Sequence, residues 1–82
     1  MPYIPKEKRY KLVCASLENP ESPGELNYTI TNLCIEYLEL KGVNYTNMNE
    51  VIGILECAKL ELYRRMVASY EDEKIKENGD VY

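Results

Sequence analysis

Apolar residues recur every three or four positions through most of the chain, and no segment shows the strict alternation of a half-buried strand. This periodicity predicts an all-α fold with three helices, over residues 6–17, 24–40 and 48–77. Residues 1–5 are expected to form an extended arm before the first helix. We therefore predict a single small helical domain over residues 1–82.

The first helix is predicted from its prolines and from one apolar face. Pro2 and Pro5 each disfavour the helical conformation in the residue before them, and Pro5 also suits the first turn of a helix. The segment ENPESPGE, with two prolines and a glycine, ends this helix. Its apolar face comprises Tyr10, Val13, Cys14 and Leu17.

The second helix has recognisable start and stop signals. Ser22 and Glu25 have the spacing of a capping box, with Pro23 at the first helical position. Gly42 is placed to close the helix after Leu40. The apolar positions between them are Leu26, Ile30, Leu33, Cys34, Tyr37 and Leu38.

The third helix shows the longest apolar series. Asn47 and Glu50 resemble a capping box, with Thr46 as the alternative cap, and Asn78-Gly79 is a suitable stop. The apolar series comprises Val51, Ile52, Leu55, Ala58, Leu62 and Met66.

The length of the third helix favours a homo-oligomer. About 30 residues make a helix of roughly 45 Å, whereas a compact globule of this chain is about 30 Å across. Either Gly53 or the Ala68-Ser69 region breaks the helix, or its end packs on another subunit. We favour an unbroken helix whose end packs on another subunit.

Composition and charge exclude several classes of protein. The chain carries a net charge of −4, which argues against binding of long nucleic acids, since those binders need a surplus of cations. The charge is uneven: residues 1–11 sum to +3, which leaves −7 for the rest. A basic arm on an acidic body indicates an acidic partner, possibly another copy of the chain. No apolar run of about 18 residues is present, so no membrane span is expected.

Catalytic equipment is not evident, and we expect no enzyme, no cofactor and no metal site. The absence of histidine excludes a Ser-His or Cys-His couple, and the glycines are isolated rather than grouped in a phosphate loop. Glu56 and Glu61 point about 140° apart on a helix, so they do not converge as an acid–base pair. The three cysteines are expected to be reduced and buried, because they are widely spaced among apolar neighbours.

A binding role is compatible with the remaining features. The aromatic residues are eight tyrosines with no Phe or Trp, which favours rings at interfaces or ligand sites. On the third helix Glu56, Lys59, Tyr63 and, less closely, Arg64 form a polar stripe; the alternative is an ordinary solvated face. Glu61 is expected to neutralise one neighbouring arginine but not both.

Three segments of the chain are distinctive: MPYIPKEKR, GELNYTITNL and VIGILECAKLELYRRMVASYEDEKIKENGDVY. Through these segments the chain resembles, in about two thirds of its length, an uncharacterised family of short proteins encoded by bacteriophages and prophages. The resemblance implies a viral protein of the host cytoplasm, with no family catalytic residues to transfer. Several phage families of this kind are compact homo-oligomers that sequester cyclic nucleotide signals of bacterial immunity.

Two functional hypotheses follow from these observations. The first is a homo-oligomeric sponge that holds a small anionic nucleotide without cleaving it. The second is a protein-interaction or structural factor that docks on a host or virion protein through the third helix. In the sponge hypothesis, cationic side chains bind the phosphates of the nucleotide, tyrosines stack on its bases, and polar side chains of the second helix contact the base edges. The candidate ligand-binding residues are Tyr3, Lys6, Arg9, Asn27, Thr31, Lys59, Tyr63 and Arg64.

Overall fold

The computed structural model describes residues 4–8 and 19–82, and every regular element among them is helical. Helix α1 spans Pro23–Lys41, α2 spans Tyr45–Leu62 and α3 spans Ala68–Asn78. A π-helical turn, Tyr63–Val67, joins α2 to α3 without interruption. The all-α fold class and the long C-terminal helix are thus confirmed.

The structure divides into two units, Met1–Leu33 and Cys34–Tyr82. In the first unit, residues 6–8 are helical, and the Lys8 amide donates a hydrogen bond to the Pro5 carbonyl at 2.9 Å. The rest of the predicted helix 6–17 lies outside the described residues. The prediction of one domain over 1–82 stays a prediction.

Helix α1 begins and ends close to where its signals predict. The Ser22 hydroxyl accepts a hydrogen bond from the Glu25 amide at 3.1 Å, and Pro23 occupies the first helical position. At the other end Gly42 has φ +119°, and its amide donates to the Leu38 carbonyl at 2.7 Å. A positive φ is the conformation that glycine adopts without the steric cost of a side chain.

The predicted cap of the next helix is wrong. Helix α2 begins three residues earlier than residue 48, and Asn44 is its N-cap, with its side-chain oxygen accepting from the Asn47 amide at 2.9 Å. The Asn47 side chain turns back and donates to the carbonyls of Lys41 and Gly42, at 3.2 and 2.9 Å. Asn44 therefore caps the start of α2, and Asn47, three residues later, supplies hydrogen-bond donors to backbone carbonyls at the end of α1.

The long helix, which we define as α2, the π turn and α3 together, continues through both of the alternative break points, so the favoured unbroken helix is observed. Its segments have 18, 5 and 11 residues, which corresponds to about 50 Å. Gly53 lies inside α2 and Ala68 begins α3, so neither interrupts it. Asn78 is the last helical residue, one beyond the predicted end at residue 77, and Gly79 follows with φ +82°.

The described residues contain very little core. Val51 is the one buried hydrophobic residue among them, whereas Ile52, Leu55, Leu62 and Met66 of the same predicted series are exposed. Of the two cysteines in the described part of the chain, Cys34 is half-buried and Cys57 is exposed. The expectation of a buried Cys57 was wrong because this residue lies about 120° from Val51 around the helix. No described helix is long and apolar enough to cross a membrane.

Candidate functional site

Tyr63 and Arg64 of the predicted polar stripe lie in the π turn, together with Arg65. Its hydrogen bond runs from the Ala68 amide to the Tyr63 carbonyl, five residues back rather than four. The Tyr63 amide in turn is shared between the carbonyls of Leu60 and Lys59. Such turns are rare and occur frequently at functional sites.

The π turn changes how the apolar residues on either side of it line up along the helix. Ala58, Leu62, Met66 and Tyr70 follow one another at intervals of four residues. In an α-helix each such interval overshoots a full turn by about 40°, so the row drifts around the axis. A π turn of five residues rotates the chain by about 90° less than the same number of α-helical residues, so Met66 and Tyr70 stay in line with Leu62.

The same geometry aligns Tyr63 with Glu71. Residues eight apart differ by about 80° around a regular α-helix, and the π turn removes this offset. The Tyr63 hydroxyl donates a hydrogen bond to the Glu71 carboxylate. This bond, reinforced by the negative charge of Glu71, raises the pKa of Tyr63. Sequence analysis did not assign a role to Glu71.

Glu61 pairs with both neighbouring arginines, contrary to the expectation that it neutralises only one. Its Oε1 lies 2.6 Å from Arg65 Nε, and its Oε2 lies 3.4 Å from an Arg64 terminal nitrogen. The residues are three and four positions apart, so one carboxylate reaches both with its two oxygens. The hydrogen bond from Arg65 is the main cause of the lowered pKa of Glu61, and Arg64 adds to it. Protonation of Glu61 in acid therefore releases both guanidinium groups.

Lys59 is also paired, since its Nζ lies 3.1 Å from Glu56 Oε1. The three candidate ligand residues of the long helix, Lys59, Tyr63 and Arg64, thus each contact a carboxylate. All three side chains remain exposed. Exposed ion pairs contribute little to stability and exchange readily with solvent ions, so an anionic ligand can compete for these cations.

The other candidate residues belong to the first unit or lie outside the described part of the chain. Asn27 and Thr31 are one turn apart on α1, and the Thr31 hydroxyl donates to the Asn27 carbonyl at 2.8 Å. The hydroxyl oxygen of Thr31 keeps its acceptor capacity. Lys6 is exposed in the short helical turn. Tyr3 and Arg9 lie outside the described residues.

Surface hollows lie at the start of α1 and at the end of α3, and neither of these two is lined by a candidate ligand residue. One, of about 310 Å³, adjoins the start of α1, and one, of about 400 Å³, lies beside the end of α3. The first is lined by Asn19, Pro20, Gly24, Glu25, Tyr28 and Thr29. Residues lining the second include Tyr70, Lys74, Ile75, Val81 and Tyr82. Across residues 4–8 and 19–82, no group of three Cys, Asp or Glu side chains is placed to hold a metal ion.

Comparison with known proteins identifies the family. The model of a family described as "Domain of unknown function (DUF6899)" matches residues 1–81. The chain belongs to this family. No curated protein and no solved structure matches it. The function of this DUF6899 protein is therefore inferred from its own residues.

Proposed function

We propose that this DUF6899 protein is a non-enzymatic, phage-encoded sponge that sequesters a small anionic nucleotide, such as a cyclic nucleotide signal of bacterial immunity, in the host cytoplasm. In this function the protein is a homo-oligomer, and it releases the nucleotide unchanged. The resemblance to short phage proteins motivates the biological setting.

The observation that carries the proposal is the cluster at the π turn. Arg64 and Arg65 share a single carboxylate partner, Glu61, through exposed ion pairs, while the nearby Glu71 carboxylate is hydrogen-bonded to Tyr63. Tyr63 stands beside them and offers a ring for base stacking. Arginine is the side chain best suited to bidentate binding of a phosphate. A phosphate at this position replaces solvent-exposed contacts only.

The second candidate function, docking on a host or virion protein, is favoured by the exposed apolar side chains of the long helix. Ile52, Leu62 and Met66 are all more than half exposed. Apolar anchors along one helix are the usual means by which a helix binds a groove in another protein.

A thermal-shift screen with cyclic di- and trinucleotides and cyclic ADP-ribose tests the first function. A ligand present at about 100 times its dissociation constant stabilises a folded protein by about 2.7 kcal/mol. We expect one of these compounds to raise the unfolding temperature by several degrees. If none does so at millimolar concentration, the sponge function is rejected and the docking function is preferred.

Calorimetry on two variants then tests the site. Arg64→Glu reverses a charge where the phosphate binds, and we expect the affinity to fall at least about 10-fold. Lys76→Glu makes the same change in net charge on α3, where no ion pair involves Lys76 in the described chain, and should retain the wild-type affinity. Equal affinities of Arg64→Glu and wild type show that the nucleotide binds elsewhere.

A further inference from the structure

An exposed apolar row runs along the middle of the long helix. Its members are Ala58, Leu62, Met66 and Tyr70, which we call the 58–70 row. The π turn keeps them on one side of the helix. Leu62, Met66 and Tyr70 are 57%, 64% and 60% exposed. A continuous apolar row with this exposure is typical of a surface that binds another helix.

The rest of the described chain is too short to cover the long helix. Helix α1 has 19 residues, or about 28 Å, against about 50 Å for residues 45–78. Whatever its placement, α1 leaves roughly 20 Å of the long helix without cover. The described residues therefore leave part of this surface uncovered, and another helix can pack on it.

We propose that the partner is a second copy of this chain, which packs its own 58–70 row antiparallel against the first. The two-fold axis passes at the level of Arg64. This inference rests on the homo-oligomeric part of the proposed function and is independent of any nucleotide.

Self-complementarity of the row supports a second copy. The four positions are symmetric about residue 64, so an antiparallel two-fold places Leu62 opposite Met66 of the partner subunit. It also places the small Ala58 opposite the large Tyr70 of the partner subunit. Isologous interfaces require this kind of symmetric matching, in which each contact occurs twice. Large side chains facing small ones fill the space between two helices without voids.

The charges beside the row are compatible with the same arrangement. Glu61 and Arg65 lie four residues apart on one flank of the row. An antiparallel two-fold brings the same flanks together, so the two chains contribute two carboxylates and two guanidinium groups with no net charge. At this register Arg65 lies within about 3 Å, along the axis, of the level of the partner's Glu61.

Distances between spin labels test the proposed register. Labels are attached either to the native Cys57 or to Lys76→Cys, each in a background in which the other cysteines are serine. Both positions are exposed and lie about 120° from the 58–70 row. With helix axes about 10 Å apart and both labels pointing away from the partner, we expect separations of roughly 28 Å for residue 57 and roughly 40 Å for residue 76. Nearly equal short distances would mean a parallel pair, and no measurable dipolar coupling would mean no pairing; either result overturns the proposal.

A matched pair of substitutions tests the surface itself. Leu60 and Leu62 have the same side chain and the same 57% exposure, but they lie on nearly opposite sides of α2. Leu62→Asp introduces a charge into the interface, and we expect the dimer dissociation constant in analytical ultracentrifugation to rise at least about 100-fold. Leu60→Asp should dimerise like the wild type, and circular dichroism should show equal helix content for both variants. Equal effects of the two substitutions, or a monomeric wild type, contradict the proposal.

This experiment separates the two inferences. If the protein is an antiparallel dimer that binds no nucleotide, the interface through the 58–70 row is supported and the sponge function is rejected. If the protein binds nucleotide as a monomer or as a parallel dimer, the 58–70 row is rejected as an antiparallel interface, and the proposed anion site is retained.

Discussion

At the scale of single residues, the hydrogen bond between Tyr63 and Glu71 has a measurable consequence. It raises the pKa of Tyr63, so the folded protein favours the neutral phenol. The stabilisation is therefore complete below the ordinary tyrosine pKa of about 10 and is lost as the pH rises through the raised value. We expect Glu71→Gln to return the pKa of Tyr63 towards about 10, as measured by NMR of carbon-13-labelled tyrosine assigned with Tyr63→Phe.

The control for this prediction is Asp72→Asn, which removes the same charge one residue away. Because Asp72 makes no hydrogen bond to Tyr63, this variant should shift the Tyr63 pKa much less than Glu71→Gln does. A wild-type Tyr63 that titrates in the same way as Glu71→Gln would show that the hydrogen bond does not persist in solution.

At the scale of elements, the junction between α1 and α2 depends on Asn47. Its side-chain amide donates to two carbonyls at the end of α1, and its backbone amide donates to the cap of α2. We expect Asn47→Ala to lower the free energy of unfolding by about 1–2 kcal/mol in urea denaturation, because two hydrogen bonds at a half-buried position are lost. Asn49→Ala, on the exposed surface of the same helix, should change it by less than about 0.5 kcal/mol. Equal effects would show that the junction does not depend on the Asn47 side chain.

At the scale of the whole molecule, stability should depend on protein concentration. The described residues bury one hydrophobic side chain, which is far less than an independently stable domain requires. If a second copy supplies the missing cover, mass action predicts that the unfolding temperature rises with concentration. We expect a rise of roughly 5–10 °C over a 100-fold range, measured by scanning calorimetry. An unfolding temperature independent of concentration would mean that the folding unit is a single chain.

The sequence by itself determined the helical fold class and, to within one residue, both ends of α1 and the end of the long helix. These features depend on local chemistry: a Ser22 hydroxyl within reach of the Glu25 amide, a proline at the first helical position, and glycines at positive φ. Periodicity also indicated that Lys59, Tyr63 and Arg64 lie close together on one helix.

Only the tertiary structure decided the cap of α2, the partners of the arginines and the π turn. Asn44 and Asn47 are chemically the same residue, so the choice between them depends on where α1 ends and which carbonyls need a donor. Glu61 contacts two arginines because its two oxygens point in different directions, which residue spacing does not specify. The π turn changes the angular positions of all later residues, so the alignments of Tyr63 with Glu71 and of Met66 and Tyr70 with Leu62 depend on the hydrogen-bond register that the helix adopts rather than on periodicity alone.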